Sequence, residues 1–445
     1  MKKIFLIGAG LSASTLIKYL LDNSEKHNWK LRVGDVSVDT VKEKLKGHKN
    51  AEAVEFDIFN EKQRSEEIKN ADIVISMLPA RMHHLPAESC IKYKKDMVTA
   101  SYVSDSLKEM KTDVEKSGIL ILNEIGVDPG IDHMSAMQII DRIKETGGEI
   151  TAFRSYTGGL VAPDFDNNPW NYKFTWNPRN VVVAGQGPAA KIIRNKKYKY
   201  IPYHQLFKRT ERTYVDGYGE FEVYPNRDSL KYRHSYGLDD IPTMIRGTMR
   251  RPGFCKAWNV FVQLGATDDT YTLEDSGNMT YNDFVNTFLK YNPNLTTEEK
   301  ISEYLNIDED SSVMYKLRWL GIFENKKIGL KNATPAQILQ KLLEEKWKFE
   351  ERDRDMLVMQ HKFEYEINGK KKEICSSMVI EGEDHVHTAM SSTVGLPVGI
   401  AVKMILTGKI KEKGIQIPIS KSIYDPILEE LKEFGINFKE KEREI

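Results

Sequence analysis

The segment "IFLIGAGLSAS", residues 4–14, decides the fold of the first part of the chain. Its apolar run leads into Gly8, Gly10 and Ala13, which have the spacing G-x-G-x-x-A. The first glycine allows a tight turn, the second lets the backbone approach a pyrophosphate, and the small third residue permits close packing of helix on strand. Free N–H groups at the start of the helix would then face the phosphates. The segment therefore predicts a strand, a turn and a helix that bind a dinucleotide.

Outward from this segment, short apolar runs alternate with stretches rich in lysine and glutamate. The apolar runs cover residues 4–7, 31–36, 53–56, 72–78, 96–100 and 119–124. Nearly continuous apolar strands that alternate with surface helices are typical of a parallel sheet covered on both faces. We therefore predict an α/β fold with a Rossmann-type, doubly wound parallel sheet over residues 1–128.

The pattern changes beyond this predicted domain. Residues 130–145 have apolar positions at helical spacing, and residues 150–255 contain short strand-like runs that predict an antiparallel or mixed sheet. Residues 280–350 have the pattern of consecutive helices, and "NGK" at 368–370 lies between two strand patterns and predicts a hairpin. Near the C-terminus, "LPVGIAVKMILTGKI" and "YDPILEELKEFGI" predict helices.

Composition limits the class of protein. A chain of 445 residues is too long for one hydrophobic core, so two or three domains are expected. The 65 basic and 65 acidic residues balance, which argues against a nucleic acid or an acidic membrane as partner. Cys90, Cys255 and Cys375 lie far apart without a CxxC pair, so neither a disulfide framework nor a metal site is predicted. No stretch approaches the roughly 20 apolar residues of a membrane span, so we expect a cytoplasmic protein.

Two carboxylates follow predicted strands at the dinucleotide end. Asp35 ends the second strand, where it can accept hydrogen bonds from the ribose hydroxyls of NAD and would repel the 2′-phosphate of NADP. The alternative for Asp35 is an aspartate that only caps a turn. Asp57, at the end of the third strand, either caps a turn or approaches the adenine. The cofactor predicted from these residues is NAD, with NADP as the alternative.

The substrate site is predicted from the rule that ligands of an open parallel sheet lie beyond the carboxyl ends of its strands. This rule selects Leu78, Pro79, Thr99, Ser101, Tyr102, Glu124 and Asp128. The last two belong to "NEIGVDPGIDH", residues 123–133, which is rich in polar residues and glycine. We therefore expect this segment to hold a polar substrate against the cofactor, with His133 capping or packing at the start of a helix.

Several long stretches make the chain resemble the family of glutamate-forming saccharopine dehydrogenases. They are "TASY", "NEIGVDPGIDH", "SYTGGLVAPDFDNNPWNYKFTW", "YPNRDS", "IRGTMRRPGF", "DMLVMQHKF" and "MSSTVGLPVGIAVKMILTGKI". They occur nearly end to end in the order of the family. The resemblance implies a place in lysine metabolism and a homodimer whose partners are small molecules.

The resemblance also implies a domain arrangement. The Rossmann domain, residues 1–128, would be completed by C-terminal helices at about 388–445. A mixed α/β domain, residues 129–279 and 351–387, would carry the substrate and the dimer contact. Residues 280–350 would form a small helical insertion in that domain.

The family's functional positions can be carried over residue by residue. The implied cofactor contacts are Gly8, Ala9, Gly10, Leu11, Ser12, Asp35, Val36, Ser37, Asp57, Ile58, Leu78, Thr99, Val127, Asp128, Pro129 and Gly130. The implied substrate contacts are Ser101, Asp128, Arg227, Thr248, Met249 and Arg250. Fungal NADP-dependent members carry an arginine just after the second strand, whereas this chain has Asp35 and Val36, as in the animal NAD-type enzymes.

The implied reaction oxidises saccharopine to L-glutamate and 2-aminoadipate 6-semialdehyde, or runs in reverse as a reductive condensation. Arg227 and Arg250 suit substrate carboxylates because a guanidinium binds a carboxylate with two parallel hydrogen bonds. The alternative for Arg227 is a surface salt bridge. The secondary amine must lose a proton before hydride leaves, and Asp128 is the predicted general base, with Tyr102 as its partner.

Thr157 departs from the family, which usually has a cysteine in this motif. A threonine hydroxyl can hydrogen-bond but cannot replace a thiol in acid–base chemistry, so we expect the cysteine to be dispensable. Two other functions stay open on the sequence alone. One is a related imine reductase such as carboxynorspermidine dehydrogenase, and the other is a catalytically silent dinucleotide-binding protein.

Overall fold

The computed structural model describes all 445 residues, which form two compact units. The first unit comprises Met1–Glu149 and Met378–Lys439, and the second comprises Ile150–Ser377 and Glu440–Ile445. The first unit thus extends beyond the predicted boundary at residue 128. The reason is that the helix after this residue packs on the last helix of the chain, which also belongs to the first unit.

Sixteen strands are present. In chain order they are β1 (Lys2–Ile7), β2 (Trp29–Asp35), β3 (Ala51–Glu55), β4 (Ile73–Ser76), β5 (Asp96–Val98), β6 (Leu120–Leu122), β7 (Glu149–Val161), β8 (Ala190–Arg194), β9 (Lys197–Ile201), β10 (Glu211–Val215), β11 (Gly219–Pro225), β12 (Thr243–Arg250), β13 (Asp355–Ile367), β14 (Lys370–Glu381), β15 (Gly414–Gln416) and β16 (Lys439–Glu444).

Seventeen α-helices accompany them. They are α1 (Ser14–Asp22), α2 (Ser24–His27), α3 (Val38–Leu45), α4 (Glu61–Asn70), α5 (His84–Tyr93), α6 (Asp105–Glu109), α7 (Lys111–Ser117), α8 (Ile131–Glu145), α9 (Pro178–Val182), α10 (Tyr203–Leu206), α11 (Phe254–Leu264), α12 (Tyr281–Asn286), α13 (Thr297–Leu305), α14 (Ser312–Leu320), α15 (Pro335–Lys346), α16 (Ala389–Leu406) and α17 (Lys421–Leu431).

The sheet of the first unit has seven strands in the order β15-β6-β5-β4-β1-β2-β3. Every neighbouring pair is parallel, as the apolar runs predicted. The strand order reverses between β1 and β4, which is the point where ligands of such sheets bind. The Rossmann-type fold is therefore confirmed. The edge strand β15 was not predicted, because its three residues give too short a pattern to recognise.

The sheet of the second unit has nine strands, of which seven follow the order β10-β11-β12-β7-β13-β14-β16, with β8 and β9 attached at β12. β7 and β12 run parallel, whereas β11 and β12 run antiparallel, so the predicted mixed sheet is confirmed. The predicted hairpin also forms, between β13 and β14. Asn368 and Gly369 at its turn both have positive φ, 51° and 75°, which is the backbone that an Asn-Gly turn supplies.

The core of the second unit is built around aromatic rings. Trp170, Tyr172, Phe254, Trp258 and Trp347 are buried, and their ring centroids lie within about 6 Å of one another in stacked and edge-to-face pairs. The helices α12–α15, which lie in the predicted helical insertion, belong to the same compact unit as this core. Pairs of this kind add to the hydrophobic burial and fix the positions of the surrounding strands.

The C-terminal helix α16 returns to the first unit. By length and composition alone it could cross a membrane, but 67% of it is buried inside the fold. It packs on α1 so closely that a Cβ at Gly395 would lie 2.8 Å from the backbone nitrogen of Leu16. α16 and α17 belong to the first unit, whereas β16, at the end of the predicted range 388–445, belongs to the sheet of the second.

Candidate active site

The glycine-rich turn after β1 has two glycines with different roles. Gly8 has φ +99°, and a Cβ there would lie 2.9 Å from the carbonyl oxygen of Met77, so this position requires glycine for the backbone itself. Gly10 is exposed, and a Cβ there would meet no atom within 4 Å. The space in front of Gly10 is therefore open, as a bound pyrophosphate would require.

Asp35, at the carboxyl end of β2, is tied to this turn. The backbone N–H of Ala9 donates to Oδ2 of Asp35 at 2.7 Å, and the N–H of Ser37 donates to Oδ1 at 3.0 Å. The side chains of Leu11 and Val36 are 73% and 75% exposed at the same end of the sheet. The structure thus brings the predicted phosphate and ribose residues together, beside apolar surface that an adenosine could cover.

A cation that the sequence analysis did not single out lies at the same turn. The ammonium of Lys44, on α3, donates to the carbonyl oxygen of Gly10 at 2.8 Å and to Oγ of Ser14 at 2.6 Å. Burial lowers the pKa of Lys44, and the nearby charge of Asp35 opposes this shift. In the sequence, Lys44 is one of several lysines on a surface helix, so nothing distinguished it from Lys42 or Lys46.

Asp57 and Ile58 follow β3. The carboxylate of Asp57 accepts from the N–H of Phe59 at 2.9 Å, and the N–H of Asp57 donates to Oε1 of Gln63 at 3.1 Å. Ile58 is buried in the core of the first unit. The side chain of Asp57 is therefore engaged in a local turn, as one of the two predicted interpretations requires, and its contact with adenine stays a prediction.

The loops after β5 and β6 are joined through Ser101. Its N–H donates to Oγ1 of the buried Thr99 at 3.2 Å, and its carbonyl accepts from the N–H of Glu124 at 3.0 Å. Tyr102 follows it and is half-buried, like Leu78 after β4. Residues predicted to face the nicotinamide and the substrate therefore converge at the carboxyl ends of adjacent strands.

The segment 126–130 forms a tight turn after β6. The N–H of Gly126 donates to the carbonyl of Pro129 at 3.0 Å, and the peptide bond between Asp128 and Pro129 is cis. Gly130 has φ +147°, and a Cβ there would overlap the backbone of Gly126. Val127 is buried and Asp128 is half-buried in this turn.

The buried carboxylates of Glu124 and Asp132 hold this turn and the neighbouring loop in place. The carboxylate of Glu124 accepts from the N–H of Val103 at 3.1 Å and bonds Nε2 of His133 at 2.9 Å. Oδ1 of Asp132 accepts from the N–H of Gly130 at 2.6 Å. In "NEIGVDPGIDH", His133 and Glu124 thus pack and hold loops, which agrees with the predicted packing role of His133.

The second unit contains a buried cation, Arg250 at the end of β12. Its side chain is 5% exposed and lies against the rings of Tyr172 and Phe254, at 5.1 and 5.3 Å from the ring centroids. One guanidinium nitrogen donates to the carbonyl of Met249 at 2.9 Å, whereas Nε has no hydrogen-bond partner. No carboxylate lies within ion-pair distance of Arg250. The carboxylate of the buried Glu222, in register with Arg250 on β11, interacts with this charge without a direct ion pair. Because a buried guanidinium with an unused donor is costly, this arrangement is suited to an anionic ligand.

Polar side chains on adjacent strands lie near this cation. Thr248 of β12 is in register with Thr157 of β7 on one side and with Tyr224 of β11 on the other. The hydroxyl of Thr157 is buried without a hydrogen-bond partner, and burial raises the pKa of Tyr224. Met249 is fully buried in the core, so of this predicted contact only the backbone can reach a ligand.

Arg227, in contrast, is exposed. It follows β11 with φ +38°, and its carbonyl accepts from the N–H of Lys191 at 2.8 Å. No acidic side chain pairs with its guanidinium, so the surface salt bridge that was the alternative for Arg227 is not formed.

Two family descriptions match the chain along nearly its whole length. Residues 4–122 match "Saccharopine dehydrogenase NADP binding domain", and residues 126–436 match "Saccharopine dehydrogenase C-terminal domain". The chain belongs to the saccharopine dehydrogenase family. The resemblance noted from the sequence is thereby confirmed, and the cofactor of this saccharopine dehydrogenase family member is a nicotinamide dinucleotide.

Individual relatives agree with this membership. The chain is similar to "Saccharopine dehydrogenase [NADP(+), L-glutamate-forming]" of Saccharomyces cerevisiae, at 34% identity over 99% of both chains. It is 33% identical to bovine "Alpha-aminoadipic semialdehyde synthase, mitochondrial", of which it spans 47%. The solved structure of apo saccharopine dehydrogenase (L-Glu forming) from Saccharomyces cerevisiae matches with a TM-score of 0.89, at 32% identity and full coverage of both chains.

Proposed function

We propose that this protein is a glutamate-forming saccharopine dehydrogenase, an NAD(P)-dependent oxidoreductase acting on CH–NH groups. It would oxidise saccharopine to L-glutamate and 2-aminoadipate 6-semialdehyde, or catalyse the reverse condensation, in lysine metabolism. The observation that carries the proposal is Arg250, a buried guanidinium that forms no direct ion pair and whose Nε has no hydrogen-bond partner, in a chain that also has a complete dinucleotide turn. The similarity over 99% of a fungal enzyme with this name supports it.

The dinucleotide site fits its proposed ligand. The open space at Gly10 and the carboxylate of Asp35 are the features that a pyrophosphate and a ribose need. When bound, the oxidised nicotinamide supplies a hydride acceptor. The remaining steps depend on residues of this chain.

In the proposed mechanism, Asp128 accepts the proton of the secondary ammonium, so that the nitrogen lone pair can form a C=N bond as hydride leaves the lysyl ε-carbon. Asp128 then releases this proton to solvent. Water adds to the ε-carbon, and Asp128, with Tyr102 as its proposed partner, takes a proton from the water and passes it to the nitrogen. The C–N bond breaks as the hydroxyl loses its proton to Asp128 and forms the C=O bond, which releases the amine of glutamate and the aldehyde. Arg250 would hold one substrate carboxylate, and the exposed Arg227 a second.

The preference between the two dinucleotides is a separate proposal. We propose NAD, because a carboxylate at the end of β2, such as that of Asp35, would repel the 2′-phosphate of NADP. Lys44 favours NADP, since its ammonium lies at the same turn, and the names of the fungal relatives specify NADP. Rates with both dinucleotides for the wild type, Asp35→Ala and Lys44→Met decide between them.

The predicted homodimer and cytoplasmic location are also retained as proposals. The name of the bovine relative places that protein in mitochondria. Light scattering of the purified chain tests the dimer, and fractionation of cells that express it tests the location.

The test of the proposed function uses the purified full chain with saccharopine and either dinucleotide. We expect absorbance of the reduced nicotinamide to rise in step with L-glutamate, and Arg250→Met to slow this rise sharply at the same saccharopine concentration. Faster turnover of carboxynorspermidine than of saccharopine would favour the imine reductase instead. No turnover of either substrate by a protein that binds the dinucleotide would leave the silent dinucleotide-binding protein, for which Thr157 is the motivating departure.

A further inference from the structure

A buried histidine, His83, bridges two serines at the carboxyl ends of β4 and β5. It precedes α5 and has no exposed surface. Its Nδ1 lies 2.8 Å from Oγ of Ser76, the last residue of β4, and its Nε2 lies 2.7 Å from Oγ of Ser101. Ser101 is one of the residues assigned to the substrate, whereas neither His83 nor Ser76 was.

The imidazole of His83 is neutral near physiological pH. Burial lowers its pKa to about 4, and the neighbouring His84 acts in the same direction. A neutral imidazole has one nitrogen that donates and one that accepts. His83 therefore accepts a hydrogen bond from one serine hydroxyl and donates a hydrogen bond to the other. Whether Ser76 donates or accepts thus determines the role of Ser101.

The burial of Ser76 decides that direction. Ser76 has no exposed surface, and its hydroxyl has no partner other than His83. A buried hydroxyl that cannot donate costs about 1–3 kcal/mol, so the O–H of Ser76 must donate to Nδ1. Nδ1 is then the accepting nitrogen, and the proton of the imidazole resides on Nε2.

This tautomer makes Ser101 the acceptor in its hydrogen bond with His83. Nε2–H of His83 donates to its Oγ, so the hydroxyl proton of Ser101 cannot point back at the histidine. The backbone of Ser101 is already fixed through Thr99 and Glu124. Because Ser101 is half-buried, its remaining O–H is available to a ligand at the carboxyl end of β5.

We propose that His83 is a positioning residue that makes Ser101 a hydrogen-bond donor to a carboxylate of the substrate. The inference rests on the proposed function, because saccharopine carries three carboxylates. In the bridge Ser76–His83–Ser101 no proton is transferred. The hydrogen-bond partners of His83 are two hydroxyls, whereas His133 contacts the carboxylate of Glu124.

Nuclear magnetic resonance tests the tautomer without any turnover. In protein labelled with ¹⁵N at histidine, the signal that disappears in His83→Asn belongs to His83. We expect the couplings of a neutral ring with its proton on Nε2. A ring with its proton on Nδ1, or a charged ring at neutral pH, would overturn the proposal.

Kinetics test the link to the substrate. In His83→Asn the amide can replace Nδ1 and retain the bond to Ser76, but it is too short to reach Ser101. In His83→Gln the amide reaches the place of Nε2 and can still donate to Ser101. We expect His83→Asn to raise the KM for saccharopine by roughly tenfold, the worth of one hydrogen bond to a charged acceptor, and to leave the dinucleotide Kd unchanged. His83→Gln should restore most of the loss.

Ser101→Ala provides a variant that does not disturb the buried histidine pocket. It should reproduce the rise in KM, and the double variant with His83→Asn should be no worse than either single one. Independent, multiplying effects would show that His83 does not act through Ser101 and would refute the proposal. Failure of the wild type to oxidise saccharopine would instead refute the proposed function. The two failures can be distinguished, because the NMR measurement of the His83 tautomer requires no turnover.

Discussion

The guanidinium of Arg250 lies 5.1 Å from the ring centroid of Tyr172 in the interior of the second unit, and it forms no direct ion pair, although Glu222 lies opposite it on β11. Cation–π contacts of this kind stabilise the charge only in part. We therefore expect Arg250→Met to raise the KM for saccharopine by at least about a hundredfold, because a buried charge-assisted pair would be lost. The melting temperature should change little, since removal of the buried cation offsets the loss of its charge interaction with Glu222.

The matched control is Arg212→Met, because Arg212 is exposed and pairs with Glu220 on the neighbouring strand. Its kinetics should be those of the wild type. Arg250→Lys should fail almost as badly as Arg250→Met, since an ammonium cannot form the two parallel hydrogen bonds of a guanidinium. A normal KM in Arg250→Met would remove the main support for the proposed substrate.

Gly8 and Gly10 should respond differently to alanine. Gly8→Ala forces φ +99° on a residue with a Cβ and places that atom 2.9 Å from the carbonyl oxygen of Met77. We therefore expect the free energy of unfolding to fall by about 1–2 kcal/mol or more. Gly10→Ala meets no neighbour, so stability should be retained while dinucleotide affinity falls about tenfold or more. Thermal melts and fluorescence titration with reduced dinucleotide measure the two effects. Equal destabilisation in both variants would contradict this assignment.

Asp35→Ala should relax the preference between dinucleotides. Loss of the carboxylate removes both the hydrogen-bond acceptor for ribose and the repulsion of a 2′-phosphate, so the ratio of kcat/KM for NAD to that for NADP should fall by roughly ten- to a hundredfold. Asp39→Ala is the control, since Asp39 is exposed on α3 and contacts only Lys42. A wild type that prefers NADP would overturn the role given to Asp35.

Lys173 and Asp353 form a buried ion pair in the second unit. The ammonium lies 2.8 Å from both carboxylate oxygens, and the two side chains are 6% and 1% exposed. Asp353→Asn leaves a buried cation, and we expect a loss of about 3–5 kcal/mol in the free energy of unfolding. The exposed pair Lys18–Asp22 serves as control, because Asp22→Asn should cost no more than about 0.5 kcal/mol. Urea unfolding followed by tryptophan fluorescence compares them.

His83 predicts a dependence of stability on pH. Its pKa is lowered from 6.5 to about 4 by burial, so between these values the unfolded chain binds a proton that the folded chain does not. This stabilising contribution is complete above pH 6.5 and is lost as the pH falls through about 4, in total about 3 kcal/mol. His83→Gln lacks the titrating group, so its unfolding free energy should fall less over this range. Parallel curves for the two proteins would contradict the burial argument.

The features predictable from the sequence were those encoded locally. The spacing of Gly8, Gly10 and Ala13 specified the turn, and apolar runs specified six parallel strands. The proximity of Asp35 to this turn followed from the register of β1 and β2. His83 and Lys44 could not be found in this way, because their significance depends on partners brought to them by packing. His83 lies in a run of two histidines with no spacing motif.

The boundary of the first unit was missed for a related physical reason. The pattern of strands ends near residue 128, but α8 packs on α17, which comes almost 300 residues later, and that contact has no local signal. The exposure of Arg227 was likewise undetermined, since a short polar motif after a strand is compatible with either a buried or an open position.

The return of the chain to its first unit has a consequence for biosynthesis. β15, α16 and α17 supply an edge strand and two packing helices to the unit that begins at Met1. A ribosome would therefore synthesise all of the second unit except β16 before the nucleotide-binding unit receives these three elements. Nascent chains stalled before α16 should expose the apolar face of α1 and depend on chaperones until translation is finished.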